Sequence, residues 1–138
     1  MSREIIITAK DHDLLLKLIS KEREFGSDKN RESLKTLEFE LKRARIVPSE
    51  KIPPDSITMN SKVLLKELDS GEETIYTLVY PNDADLIENK ISVLAPIGTA
   101  MLGFRKGDII DWEVPAGTIK LKVEDILYQP EAAGDYHL

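Results

Sequence analysis

The chain has 138 residues, 41% of them hydrophobic, which fits one compact domain with a small appendage and suffices for a core. It has no cysteine, so disulfides and thiol chemistry are excluded; no apolar run approaches the ~20 residues that cross a bilayer, no secretory leader is read, and a cytoplasmic location is expected. The formal charge of −6 makes free duplex DNA a poor long-range partner, because DNA affinity rests on phosphate neutralisation, and suits instead the basic surface of a nucleic-acid enzyme.

Ile5-Ile6-Ile7 reads as a short strand or an anchoring edge segment. Thr8, followed three residues later by Asp11, gives a capping-box-like start to a helix over residues 9–24. Leu14, Leu15, Leu18 and Ile19 recur at helical steps and form one apolar stripe. Phe25-Gly26-Ser27 breaks that pattern. A second helix is expected from residues 28–30 to residue 45, with Leu34, Leu37, Leu41 and Ala44 as a heptad-like seam. Two such stripes joined by a short turn predict an antiparallel hairpin. At ~1.5 Å per residue, about 16 residues make it roughly 24 Å long. The basic cluster Lys42-Arg43-Ala44-Arg45 closes the second helix, where the dipole favours cations and a nucleic-acid or polymerase contact is the alternative.

Val47-Pro48-Ser49-Glu50-Lys51-Ile52-Pro53-Pro54-Asp55 carries three prolines in nine residues and reads as a semi-rigid connector. The expected division is an N-terminal helical hairpin over residues 1–47, a Pro-rich linker over 48–57 and a C-terminal domain over 58–138. Strands are expected in that domain over residues 61–67, 73–80, 91–94, 109–114 and 119–128. Asp69-Ser70-Gly71-Glu72 is a turn, Pro81 stops the second strand, and residues 82–89 form a polar loop. A turn of helix joins Gly98 to Gly103, and Pro115-Ala116-Gly117 closes a hairpin. About five strands in one antiparallel, curved sheet against a short helix make a small α+β domain. The acidic tail after Tyr128 is expected to be irregular.

Little in the chain suggests catalysis. His12 and His137 lie at opposite ends, outside any ligand-spaced cluster, so neither a metal site nor a cofactor is expected. No phosphate-cradling or dinucleotide-binding glycine motif occurs, and no serine sits in a nucleophile elbow. Phe104, Trp112, Tyr76 and Tyr80 are spread over several elements.

From Ile91 to Gly117 the chain gives a strand, a helical turn started by Pro96, a glycine turn, a second strand and a hairpin. That order resembles the C-terminal domain of the bacterial transcript-cleavage factors of the Gre type, which has an FKBP-like fold. Thr58-Met59-Asn60-Ser61, Thr77-Leu78-Val79-Tyr80-Pro81 and Tyr128-Gln129-Pro130-Glu131-Ala132-Ala133-Gly134-Asp135-Tyr136 narrow the resemblance to the Rnk family, the regulators of nucleoside diphosphate kinase. It covers nearly the whole chain and is specific in its last two thirds.

The resemblance implies that the partner is core RNA polymerase. Leu94-Ala95-Pro96-Ile97 stands where Gre factors show Asp-Ser-Pro-Ile, a neighbourhood implicated in docking on the rim of the polymerase channel. Pro96 and Ile97 match, and Leu94 replaces the acid. Pro96 also suits a first helical turn. Gre factors insert a long helical hairpin into the secondary channel, where two tip acids within an Asp-x-x-Glu-Asn-Ala pattern help hold a magnesium ion. Here the hairpin tip is Phe25, Gly26, Ser27, Asp28 and the residues to Glu32. Asp28 and Glu32 are four apart, Lys29 and Arg31 accompany them, and helix capping is the competing role for both acids. The arm is about half as long as two ~30-residue Gre helices would be.

The expectation is therefore a monomeric, non-enzymatic, polymerase-binding transcription regulator that competes with Gre-type factors at the secondary channel without cleaving transcripts. The alternative is a cleavage factor using Asp28 and Glu32 as ligands. The family name also implies an influence on nucleoside diphosphate kinase, for which an indirect transcriptional route and direct binding both stand. No membrane association and no sequence-specific DNA binding are expected. Prolyl isomerase activity, known among FKBP-like domains, needs an aromatic-lined pocket that aromatics at 6% and scattered do not suggest.

Overall fold

The computed structural model describes residues 4–26, 31–136 and 138, with Phe25 described by its backbone alone. β1 (Ile6–Ile7) leads into α1 (Ala9–Phe25). Thr8 caps that helix, its Oγ1 accepting from the Asp11 N–H at 3.2 Å. α2 (Arg31–Lys42) brings the chain back to β2 (Arg45–Ile46), which pairs parallel with β1. Leu15 and Ile19 of α1 and Leu34, Leu37 and Leu41 of α2 are buried. The Arg23 guanidinium forks onto the Glu38 carboxylate through two 2.7 Å bonds, joining the helices. His12 is a satisfied histidine, with Nε2 at 3.1 Å from the Leu41 carbonyl.

Two details of the hairpin differ from the sequence reading. Leu14 belongs to the expected stripe but is 39% exposed, because α2 and the sheet cover only the Leu15–Ile19 side of α1. The second helix stops at Lys42, not at residue 45. The Arg45 and Val47 N–H groups donate instead to the Ile5 and Ile7 carbonyls, at 2.8 and 3.0 Å. The backbone of the first segment thus captures residues that local pattern assigns to a last helical turn.

The expected connector is held against the fold at Ile52, Pro53 and Ser56. It contains a 3-10 turn (Ser49–Lys51), and Ile52 is buried. The Gln129 side-chain amide donates to the carbonyls of Pro53 and Ser56, at 2.8 and 2.6 Å.

β3 (Lys62–Glu67), β4 (Glu73–Val79), β5 (Lys90–Ser92), β6 (Ile109–Val114) and β7 (Gly117–Tyr128) form one sheet in the order β5-β4-β3-β7-β6. The β3–β4, β3–β7 and β6–β7 pairs are antiparallel, as expected. β5 is a correction: it pairs parallel with β4, Leu78 opposite Ile91. Pro81 ends β4 in a 3-10 turn (Pro81–Asp83), and the loop after it carries the chain back far enough to re-enter beside Thr77 in the same direction. The sheet is therefore mixed, within the expected α+β class.

α3 (Pro96–Met101) packs on the sheet, burying Met101. The tail is not irregular, because Pro130–Ala133 forms a short helix, α4. Gln129 caps it by accepting from Ala132 N–H at 3.2 Å, Pro130 occupies its first turn, and Gly134 closes it at φ +81°. One buried cluster runs from Ile5, Ile7 and Leu37 through Ile57 and Met59 to Val63, Leu78, Val93, Met101 and Val123. The helical arm and the sheet share a single core. Among the described residues no helix is long and apolar enough to cross a membrane.

Candidate docking site

Leu94-Ala95-Pro96-Ile97 is shaped by the strand before it and the helix after it. Val93 N–H donates to the Val79 carbonyl at 2.9 Å, extending the β5 pairing by one residue. Ser92 then turns the chain: its Oγ accepts from Leu94 N–H at 3.1 Å, and its carbonyl from Ala95 N–H at 3.0 Å. Ala95 has extended dihedrals and Pro96 starts α3, where its missing N–H costs nothing. Thr99 folds back, its Oγ1 donating to the Val93 carbonyl at 2.6 Å.

Gly98 completes the turn. A Cβ there would lie 2.0 Å from the Ser92 carbonyl oxygen, so only glycine lets α3 sit this close to the end of β5. The result is a stiff corner. Pro96 is exposed, Ala95 and Ile97 are half-buried, and Leu94 is 4% exposed within the core. Of these four residues, Pro96 offers the most surface to a partner, and Leu94 serves packing.

A cleft of about 460 Å³ opens beside this corner, between the first turns of α2 and the β6 edge. Glu32, Ser33 and Thr36 line one side, and Pro96, Ala100, Phe104, Ile109 and Trp112 the other. The first turns of α2 therefore lie level with the Leu94–Ile97 corner. Glu32 is exposed in the first turn of α2. Gly26 ends α1, its N–H bonded to the Glu22 carbonyl at 2.8 Å. Of the remaining tip residues, Phe25 is described by its backbone, and Ser27 and Asp28 lie outside the described residues, as does His137. Among the described residues no three carboxylate or imidazole groups converge as metal ligands.

The seam between arm, sheet and tail is polar and buried. The Tyr80 hydroxyl donates to Asp11 Oδ1 at 2.7 Å, and the Thr58 hydroxyl to Glu131 Oε1 at 2.7 Å. Burial pushes both carboxyls above their ordinary range, and the hydrogen bonds from Tyr80 and Thr58 oppose that shift. Burial and the neighbouring Asp11 charge raise the Tyr80 phenol strongly, so it stays a donor at any physiological pH. On the outer side, Tyr128 donates to Asp135, and its phenol is pushed up to about 12.

Sequence reasoning missed this seam and, within the polar loop it placed at residues 82–89, the exposed pair Leu86 and Ile87. Glu131 was legible through Gln129-Pro130, a cap followed by a first-turn proline. Leu86 and Ile87 stand in a polar stretch with no periodic partner, which marks side chains without a face to bury.

The family model described as transcription elongation factor GreA/GreB, C-terminal, matches residues 52–128, and the one described as Rnk N-terminus matches residues 3–47. The regulator of nucleoside diphosphate kinase of Escherichia coli K12 is 48% identical over 103 residues, covering 74% of this chain and 76% of that protein. A transcription elongation factor GreA of Thermoanaerobacter pseudethanolicus is 38% identical over 113 residues, covering 78% of this chain and 72% of its own. Among solved structures, a prokaryotic transcription elongation factor GreA/GreB from Nitrosomonas europaea superposes with a TM-score of 0.76 at 39% identity, over 92% of this chain and 100% of that one.

Proposed function

As the chain belongs to the GreA/GreB transcription elongation factor family and carries an Rnk N-terminus, we propose that it regulates transcription by binding core RNA polymerase at the secondary channel and competing there with Gre-type factors, without cleaving RNA. Its relatives are named as regulators and transcription factors. The reading divides the chain into an arm over residues 1–47, a docked Pro-rich segment over 48–57 and a docking domain over 58–138. Pro96, with Ala95 and Ile97, supplies the contact to the channel rim, and Leu94 fixes the corner that presents it.

The observation that carries this reading is the shape of the arm. α1 has 17 residues and α2 has 12, so at ~1.5 Å per residue they span about 25 and 18 Å. The arm shares its core with the sheet, and α2 lines a common cleft with Pro96 and Trp112. A stub held against its own domain blocks an entrance without reaching far beyond it. Steric exclusion then follows from occupancy: two proteins that need one site divide it by concentration and affinity. The influence on nucleoside diphosphate kinase named in the relatives is, in this reading, an indirect consequence of altered transcription. Such a protein works in the cytoplasm, where polymerase is, as a monomer.

The test is a cleavage reaction on backtracked elongation complexes driven by a Gre-type factor. Adding this protein is expected to suppress cleavage progressively, and the protein alone with magnesium is expected to leave transcripts intact. Shortened transcripts produced by the protein alone, and abolished by Asp28→Ala, would establish the cleavage-factor alternative.

A further inference from the structure

The loop between the 3-10 turn after β4 and strand β5 is built to hold two aliphatic side chains in solvent. Asp85 and Lys90 close it with backbone bonds in both directions, at 2.9 and 2.8 Å. Asp85 Oδ1 accepts from the N–H groups of Ile87 and Glu88, at 3.0 and 3.4 Å. Asn89 takes the left-handed conformation at φ +55°, and its N–H reaches the Leu86 carbonyl at 3.3 Å. The backbone is thus fixed by five hydrogen bonds, yet Leu86 is 83% exposed and Ile87 96%. The next most exposed large apolar side chain among the described residues, Phe39, is only 60% exposed.

A loop that merely connects two strands has no need of this arrangement. Polar residues would satisfy the same turn, and an ordered aliphatic pair loses the hydrophobic gain that burial would give. Pre-ordering is what an interface anchor needs, because little further conformational entropy is lost on docking.

Charge indicates what receives the anchor. Asp83, Asp85 and Glu88 surround the pair and are exposed. The cation at the loop's base, Lys90, is held by Glu88 at 3.1 Å. The matching surface is an apolar recess rimmed by Lys or Arg.

Position indicates where the anchor acts. β5 is an edge strand, with the loop at its start and the Leu94–Ile97 corner at its end. At ~3.3 Å per residue the two lie on the order of 13 Å apart along one edge. A partner lying along that edge meets both.

We propose that Leu86 and Ile87 are a hydrophobic anchor that inserts into a basic-rimmed apolar recess on core RNA polymerase, as a second contact beside the Pro96 corner. This rests on the polymerase reading above.

The test is equilibrium binding of the full chain to purified core polymerase, with Leu86→Ser and Ile87→Ser introduced together. At least a tenfold loss of affinity is expected, with thermal unfolding unchanged, because neither side chain packs in the fold. Asp83→Asn with Glu88→Gln, which spares the loop-forming Asp85, is expected to weaken binding less and to flatten its salt dependence. If wild-type protein binds polymerase and the double serine variant binds equally, the anchor is overturned and the polymerase reading survives. If wild-type protein does not bind, both fall. If sedimentation shows a wild-type dimer that the serine variant abolishes, the pair belongs to self-association and the proposal is wrong.

Discussion

The Tyr80 hydroxyl reaches across 69 residues of chain to donate a 2.7 Å hydrogen bond to Asp11. Asp11 lies in the first turn of α1 and is 2% exposed, while Tyr80 follows the last residue of β4. The bond therefore ties the helical arm to the sheet at a point water hardly reaches. It stands beside the Thr58–Glu131 bond, which ties the tail to the start of the same sheet. Together the two bonds hold the arm and the tail against the sheet.

Tyr80→Phe keeps the ring and removes the donor, leaving a buried carboxylate short of a partner. A loss of about 1.5–3 kcal/mol is expected, the range for hydrogen bonds to charged groups. Urea unfolding measures it, and hydrogen exchange should show the first turn of α1 opening before the sheet does. An unchanged midpoint would mean that the bond does not hold the arm.

Asp11 also gives a pH signature. Its carboxyl is raised in the folded protein, chiefly by burial. Within the window between the unfolded and folded values the native state binds more protons, so this group's contribution to stability falls as pH rises through it. At neutral pH the charged form is a net cost, and that cost disappears on acidification. Asn at position 11 carries no such cost and can still accept from Tyr80. Asp11→Asn is therefore expected to equal or exceed wild type at pH 7, with its relative advantage shrinking as pH falls into the carboxylate range. Melting curves of both proteins across that range decide it, and a growing advantage at acid pH would contradict the assignment.

Gly98→Ala places a Cβ 2.0 Å from the Ser92 carbonyl oxygen. Backbone must move, so a cost of about 1–3 kcal/mol is expected, as for other overpacked sites. The displaced α3 carries Pro96, so polymerase binding should weaken even at temperatures where the variant is fully folded. Calorimetry and a binding isotherm on the same preparation separate the two effects.

Leu37 is fully buried in the core that arm and sheet share. Leu37→Ala is expected to cost about 2–5 kcal/mol. Trp112 lies in β6 but also lines the cleft beside α2, so amide exchange in β3 and β7, not its fluorescence, reports on the sheet alone. A shared core requires those amides and the helical circular dichroism to lose structure together, in one transition. An arm that melts early while the β3 and β7 amides stay protected would show two independent units.

Much of this architecture was legible in local pattern. Thr8 and Asp11 announce the first cap, Leu34, Leu37 and Leu41 the buried face of α2, and Pro96 the start of α3. What escaped depends on distant partners. Nothing near Arg45 and Val47 says that the Ile5 and Ile7 carbonyls will claim their N–H groups, and the parallel entry of β5 follows from how the chain loops back after Pro81. Leu14 shares the helical spacing of Leu15, but spacing alone does not reveal how wide a stripe the neighbours cover. The Leu94–Ile97 corner is a candidate for docking only through its resemblance to Gre factors, and the structure sorts its residues: Leu94 inward, Pro96 outward. The Leu86–Ile87 pair escaped because two aliphatic residues in a polar loop form no period.

The most direct measurement is displacement. Labelled protein is bound to purified core RNA polymerase and titrated with an unlabelled Gre-type factor. A single shared site requires complete release of the label, with a midpoint that rises in proportion to the concentration of this protein. Absence of binding, or a ternary complex in which both proteins stay on the polymerase, would contradict occupation of the channel entrance.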